Sequence, residues 1–208
     1  DDSGSGLDRL EYKIGDGSWT FYSGTTTALS DTGTITVYAR AIDKVGNISG
    51  EVSKVAKVDK IKPTVDISNN DDLWHAKDIT VNIQHSDTGG SGVATKRYAV
   101  TNSMDKPNSG WINIASNNQD IVLSNDGYNF VHVQVIDNAG NETYVYKGSF
   151  KIDKTPPILN DPVAEAISSS EIKISVDAED NLSGLDTKPY LYNRDGNDIS
   201  DWSEINIL

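Results

Sequence analysis

The chain has no cysteine in 208 residues, so disulfides and thiolate-bound metals are excluded. Three histidines, three phenylalanines and one methionine are also few. With 36% apolar residues and a mean hydropathy of −0.47, the chain builds thin cores rather than one deep one. No apolar run approaches the roughly 18 residues that a membrane-spanning helix needs. Basic residues are scarce as well. Eighteen Lys and Arg stand against 31 Asp and Glu, for a net charge of −13. Repulsion therefore argues against nucleic acid and anionic lipid surfaces as partners, and the want of a long apolar run argues against membrane insertion. The histidines do not show the i,i+4 spacing of a zinc helix, and Gly-x-Ser-x-Gly is absent. The expectation is a chain without enzymatic activity and with no required cofactor.

Repetition takes the place of those features. "DSGSG" from Asp2, "DTGGSG" from Asp87 and "DNLSG" from Asp180 are each followed by a Tyr (12, 98, 190) and then a Trp (19, 111, 202). "AIDKVGN" at 41–47 returns as "VIDNAGN" at 135–141, and "KVDKIKP" at 57–63 returns as "KIDKTPP" at 151–157. Asp43 and Asp137 are 94 residues apart, as are Asp59 and Asp153; Trp19 and Trp111 are 92 apart. A fixed period of this size is the mark of a modular array. It divides the chain into 1–62, a repeat lacking its first strands; 63–156, a complete repeat; and 157–208, a repeat lacking its last strands. The chain opens in mid-motif and reads as a piece of something longer.

Within each repeat the period is two. Ile35, Val37, Ala39 and Ala41 alternate with Tyr38 and Arg40; Val131, Val133 and Val135 alternate with His132 and Gln134. Ile79, Val81 and Ile83, and likewise Ile172, Ile174 and Val176, do the same. Such segments are half-buried strands, apolar side in and polar side out. Asp-Gly and Gly-Asn pairs punctuate them as turns. No helical periodicity exceeds a turn. The complete repeat predicts seven strands near 64–68, 79–86, 93–100, 111–114, 119–123, 128–137 and 142–152. The fold class is all-β, with tandem immunoglobulin-like β-sandwiches.

Asp-Asn-Leu-Ser-Gly-Leu (180–185), Ile-Asp-Asn-Ala-Gly-Asn (136–141), Ile-Asp-Lys-Thr-Pro-Pro (152–157) and the Tyr…Trp pairs resemble the immunoglobulin-like repeats of bacterial cell-surface and secreted proteins. That resemblance covers nearly the whole chain. It implies an extracellular or cell-surface location and a tandem array in a stalk, adhesin, S-layer-like protein or secreted carbohydrate-active enzyme. The partners it implies are neighbouring repeats of the same chain, and a host or cell-wall glycan or protein. Two departures stand out: "DKIKP" replaces "DKTPP" at the first linker, and residues 101–110 form a longer loop.

The recurrent residues read first as turn chemistry. The Ser-Gly glycine permits a positive φ, and the preceding Asp caps free backbone N–H groups. Asp-x-x-Gly-Asn fits a tight hairpin. Topology adds a second reading. In such a sandwich the loop between the second and third strands, the loop between the sixth and seventh, and the incoming linker share one pole. That gathers Asp59, Asp87 and Asp137, hard oxygens suited to Ca²⁺. The same logic pairs Asp153 with Asp180. The tryptophans read as core or rim packing, with Trp74 and Trp111 as candidates for stacking on a sugar. The incomplete end repeats invite strand exchange between molecules.

Overall fold

The computed structural model describes residues 4–24, 32–68 and 71–186, with the backbone of two further short strands. Within these residues the chain is all β. Its centre is a two-sheet sandwich over 64–152. One sheet has β5 (Thr64–Ile67), β7 (Ile79–Ser86) and β10 (Asn118–Leu123) in the order β10-β7-β5. The other has β6 (Trp74–His75), β8 (Val93–Thr101), β9 (Ile112–Asn113), β11 (Gly127–Asp137) and β12 (Glu142–Ile152) in the order β6-β12-β11-β8-β9. This is an immunoglobulin-like arrangement. All seven expected strands are present with their bounds within two residues. The unexpected one is β6, which joins β12 in parallel through Lys151 and Ile152. Two residues give no periodicity to read, so only its partner strand could reveal it.

The core follows from the alternation. Val131, Val133 and Val135 on β11 and Val81 and Ile83 on β7 are fully buried, joined by Ile67, Ile121, Leu123, Phe150 and Ile152. Each such side chain contributes about 1.5–3 kcal/mol of transfer free energy, and together they hold two thin sheets without a disulfide. Opposite the β11 bulge between Asn129 and Val131 lies Gly148. A Cβ there would stand 2.7 Å from the Asn129 carbonyl oxygen, so only glycine permits the approach.

The polar side of β11 does not face solvent. His132 is 0% exposed and Gln134 5%. The 101–110 loop folds across the outer face of this sheet. His132 Nε2 meets Thr101 Oγ1 at 2.9 Å and the Ser103 carbonyl at 3.0 Å, and its Nδ1 meets the Tyr144 hydroxyl at 2.8 Å. Lys106 bonds Glu142, which accepts from Gln134. A strand covered on both faces keeps its polar residues only by satisfying them, and this loop supplies the partners.

The preceding segment forms a single four-stranded sheet: β1 (Leu7–Ile14), β2 (Thr20–Phe21), β3 (Gly33–Asp43) and β4 (Val52–Val58), ordered β2-β1-β3-β4. Its alternation is as expected, but its apolar side is only half-buried, because no second sheet covers it among the described residues. Ile42, on the opposite face, is the buried one at 4% exposure. The following segment forms small pairs: β13 (Ile158–Leu159) with β16 (Ala178–Glu179), and β14 (Val163–Ala166) with β15 (Ile172–Ser175). Ile172 and Ile174, expected to face inward, are 63% and 56% exposed for the same reason. Beyond them β17 (Leu191–Tyr192) pairs β18 (Ser203–Glu204). Asp2, Tyr190 and Trp202 lie outside the described residues.

Candidate functional site: an acidic junction at one pole of the sandwich

β11 ends at Asp137, and its carboxylate organises the turn into β12. Oδ1 accepts from the amides of Ala139 (2.9 Å) and Asn141 (2.8 Å), and Oδ2 accepts from Asn141 Nδ2 (2.7 Å). Gly140 has φ +93°, a backbone that only glycine adopts without strain. β3 ends the same way. Asp43 accepts from the Val45 and Asn47 amides and from Asn47 Nδ2, and also from Ser5 Oγ. Burial pushes the Asp43 carboxyl up, but these hydrogen bonds outweigh it and hold the pKa at about 2. The repeated Asp-x-x-Gly-Asn is therefore a carboxylate-capped turn.

The loop from β7 to β8 has its own cap. Asp87 Oδ1 accepts from the Gly89 amide (3.1 Å) and Oδ2 from the Gly92 amide (2.7 Å). Gly92 has φ +77°, as do its counterparts Gly184 at +77° and Gly6 at +81°, which explains the recurring Ser-Gly. The two loops are stitched together by Asn138, whose amide bonds the Gly92 carbonyl and whose Nδ2 bonds the Ser91 carbonyl.

The linker enters between them. Asp59 Oδ1 accepts from the Ile61 amide (2.9 Å) and Oδ2 from the Ser91 amide (3.0 Å). Its main-chain oxygen accepts from Asn141 Nδ2 (3.1 Å), and Thr143 Oγ1 donates to the Pro63 carbonyl. The fit leaves no room beneath it: a Cβ on Gly89 would lie 2.0 Å from Asp59 Oδ1. Hydrogen bonding from Ser91 and then from Ile61 holds the Asp59 carboxyl below its usual range. Asp137 also lies below it. Burial pushes it up, as does the Asp59 charge beside it, and the Asn141 and Ala139 donors outweigh both.

Asp59, Asp87 and Asp137 thus converge, each offering an oxygen within 4.8 Å of the others. Oxygens ligating one Ca²⁺ at about 2.3–2.6 Å stand at most about 5 Å apart, so this spacing suits a shared cation. Every one of the six carboxylate oxygens already accepts at least one N–H; Asp137 Oδ1 accepts two, and the other five accept one each and keep a lone pair for a cation. Sequence reasoning identified the three aspartates but not Gly89, Ser91 or the second role of Asn141. The double glycine in "TGGSG" was the available signal for Gly89.

The next linker repeats the contacts. Asp153 accepts from the Thr155 and Ser183 amides, and Asp180 from the Leu182 and Gly184 amides. Asp153, Glu179 and Asp180 line a cleft of about 150 Å³ there.

The tryptophans are not brought together. Trp74 lies on β6 at one edge of the five-stranded sheet, with its ring 5.4 Å from that of Tyr128. Trp111 lies beside β9 at the other edge. Its Nε1 donates to the Pro107 carbonyl, and the Arg97 guanidinium covers its ring at 4.7 Å. Trp19 is half-buried under Arg40 in the same manner. The histidines are dispersed: His75 pairs Asp71, His132 sits in the network above, and His85 is buried beneath the sandwich pole.

No family model matches this chain, and no curated protein matches it. Among solved structures, the fibronectin(III)-like modules of CbhA from Clostridium thermocellum are similar at 19% identity, over 73% of this chain and 82% of that one, with a TM-score of 0.33.

Proposed function

We propose that the chain is a non-enzymatic spacer, a run of immunoglobulin-like modules divided near residues 62 and 156, serving in a bacterial extracellular or cell-surface protein. Its work is to set the distance and angle between modules and so to position whatever the modules carry. The observation that supports this is the seating of the linker carboxylate of Asp59 in the β7–β8 loop, with its carbonyl held by Asn141 of the β11–β12 turn. A linker bound at both its side chain and its backbone has little freedom to swing. Pro63 fixes the backbone just beyond it.

Ca²⁺ is the cation we assign to Asp59, Asp87 and Asp137. Three carboxylates, loop carbonyls and water supply the six to eight hard oxygens it takes, and the ion offsets the mutual repulsion of the cluster. Calorimetric titration of Ca²⁺ into the metal-stripped chain tests this. A dissociation constant of about 10⁻⁴–10⁻³ M or tighter, weakened in Asp87→Asn, is the expected result for an extracellular module. Absence of heat together with an unchanged melting temperature would remove the ion and leave the hydrogen-bonded linker as the sole clamp.

A further inference from the structure

The two linkers differ by more than their place in the chain. The second reads Asp153-Lys154-Thr155-Pro156 where the first reads Asp59-Lys60-Ile61-Lys62. The hydroxyl of Thr155 has a partner. Thr155 Oγ1 donates to Asp126 Oδ2 at 3.1 Å, and the Lys154 amide donates to Asp126 Oδ1 at 3.2 Å. Asp126 lies in the turn from β10 to β11, in the sandwich that the linker leaves. Its carboxylate differs in use from those of Asp43, Asp87 and Asp137, which cap their own turns. Among the described residues both of its oxygens serve the linker. The turn around it is held by Asn129, whose Nδ2 donates to the Asn125 and Gly127 carbonyls at 2.8 and 3.2 Å.

The rest of the bracket comes from β6. Its parallel pairing with β12 continues one residue into the linker, where the Asp153 amide donates to the His75 carbonyl at 2.9 Å. The chain leaving β6 then places Asp78 against Lys154. Nζ meets Asp78 Oδ1 at 3.0 Å and donates to the Ser124 carbonyl at 2.6 Å. That ion pair is half-exposed and adds little by itself. What counts is that three consecutive linker residues are tied to one sandwich at His75, Asp78, Ser124 and Asp126. The other side of the linker belongs to the next module, since Asp153 Oδ2 accepts from the Ser183 amide at 2.8 Å. The first linker shares only part of this pattern. At the positions 94 residues earlier, Thr32 Oγ1 accepts from the Lys60 amide at 3.1 Å. Thr32 has one oxygen where Asp126 has a carboxylate, and Ile61 has no side-chain donor to match Thr155.

We propose that Asp126 is a positioning residue for the exit linker: with Thr155 it latches residues 153–155 to the sandwich they leave, and this pair sets how stiffly the next module is carried. The latch bears on spacing because Asp153 also seats in the next loop, and in that it rests on the spacer reading. It needs no cation. The residue two places after the linker aspartate, Thr or Ile, is then a determinant of the stiffness of each joint.

Amide hydrogen exchange and backbone amide relaxation of the 208-residue chain in EDTA are the test, with Asp126→Ala and Thr155→Ile as variants. Thr155 is exposed and lies outside the sandwich, so its change does not burden that fold. The Lys154 amide is expected to exchange about tenfold faster in Asp126→Ala, and by a smaller factor in Thr155→Ile. The heteronuclear NOE of residues 154 and 155 should fall in both. Exchange at Ser183 should rise with them, because its acceptor Asp153 rides on the same three residues. The β11 core amides and the melting temperature of the 64–152 sandwich should not move. Lys154 protection that is unchanged in both variants overturns the latch. So does faster exchange that spreads equally through β11, since Asp126 would then be holding only its own turn. A Ser183 amide already unprotected in the wild type, beside a protected Lys154 amide, would instead strike the spacer reading at this joint and leave the tie between linker and sandwich standing.

Discussion

Gly89→Ala separates the junction from the sandwich it joins. Gly89 has no positive φ, so alanine fits the backbone. The obstacle is Asp59 alone: the new methyl would lie 2.0 Å from Oδ1 and 2.5 Å from both Cγ and Oδ2. Ordinary carbon contacts are about 3.5–4.0 Å, so the carboxylate must retreat by about 1.5 Å. The Asp59–Ser91 hydrogen bond, now 3.0 Å, then stretches well past any useful length. The retreating group is the end of a side chain and not backbone, so the sandwich itself is spared. A surface change of this kind stays within about 0.5 kcal/mol, which is a few degrees in melting temperature.

The expected pattern is therefore split. Thermal unfolding of the 64–152 sandwich barely moves, while amide hydrogen exchange at Ser91 accelerates and the chain segments on either side of Asp59 lose their common alignment in residual dipolar couplings. Ca²⁺ affinity, where it is measurable, falls with the same substitution. Retained protection of the Ser91 amide would refute the reasoning, because it would show that loop and linker move together to admit a methyl. A large loss of melting temperature would refute it from the other side, by making the loop part of the core's stability.

Three further outcomes follow from buried or half-buried polar groups. His85 is 5% exposed and neither ring nitrogen makes a hydrogen bond of regular geometry among the described residues; burial, followed by the Lys96 charge, outweighs the nearby Ser116 backbone and holds its pKa below the usual 6.5. Its contribution to stability is complete above 6.5 and is lost as the pH falls toward the lower folded value, so wild type weakens in mild acid. His85→Leu should gain about 1–2 kcal/mol and flatten that dependence, and a pH series of denaturant melts reads both. Tyr144→Phe strips the hydroxyl from the fully buried His132 Nδ1 and should cost about 1–3 kcal/mol, whereas a melt like the wild type's would show that the 101–110 loop readjusts to serve the ring. Asp43, with a folded pKa of about 2 against 3.8, should keep its turn closed above 3.8 and release it as the pH falls through 2. A carboxyl titration by NMR with its midpoint near 3.8 would contradict the hydrogen bonds drawn to it.

The strand positions and the convergence of Asp59, Asp87 and Asp137 were legible in the sequence for a common reason. Both depend on a local period of two and on a long repeat that fixes which loops share a pole. Residue spacing encodes both directly. The burial of His132 and Gln134 was not legible, because alternation shows that a residue faces away from one sheet and says nothing of a loop folded over the other side. Only the added residues at 101–110 marked the place, and their contact with β11 is a matter of three dimensions. Gly89 lies between these cases. Its neighbour Gly90 has φ +95° and is explained by the backbone, while Gly89 is explained by a carboxylate thirty residues earlier in the chain. Two adjacent glycines with different duties look identical in a sequence. The distinction matters for function, since alanine at Gly90 would strain a turn and alanine at Gly89 would free a linker. The half-buried apolar face of β3 and the exposed one of β15 follow the same logic: alternation states which side is apolar and does not state what packs on it.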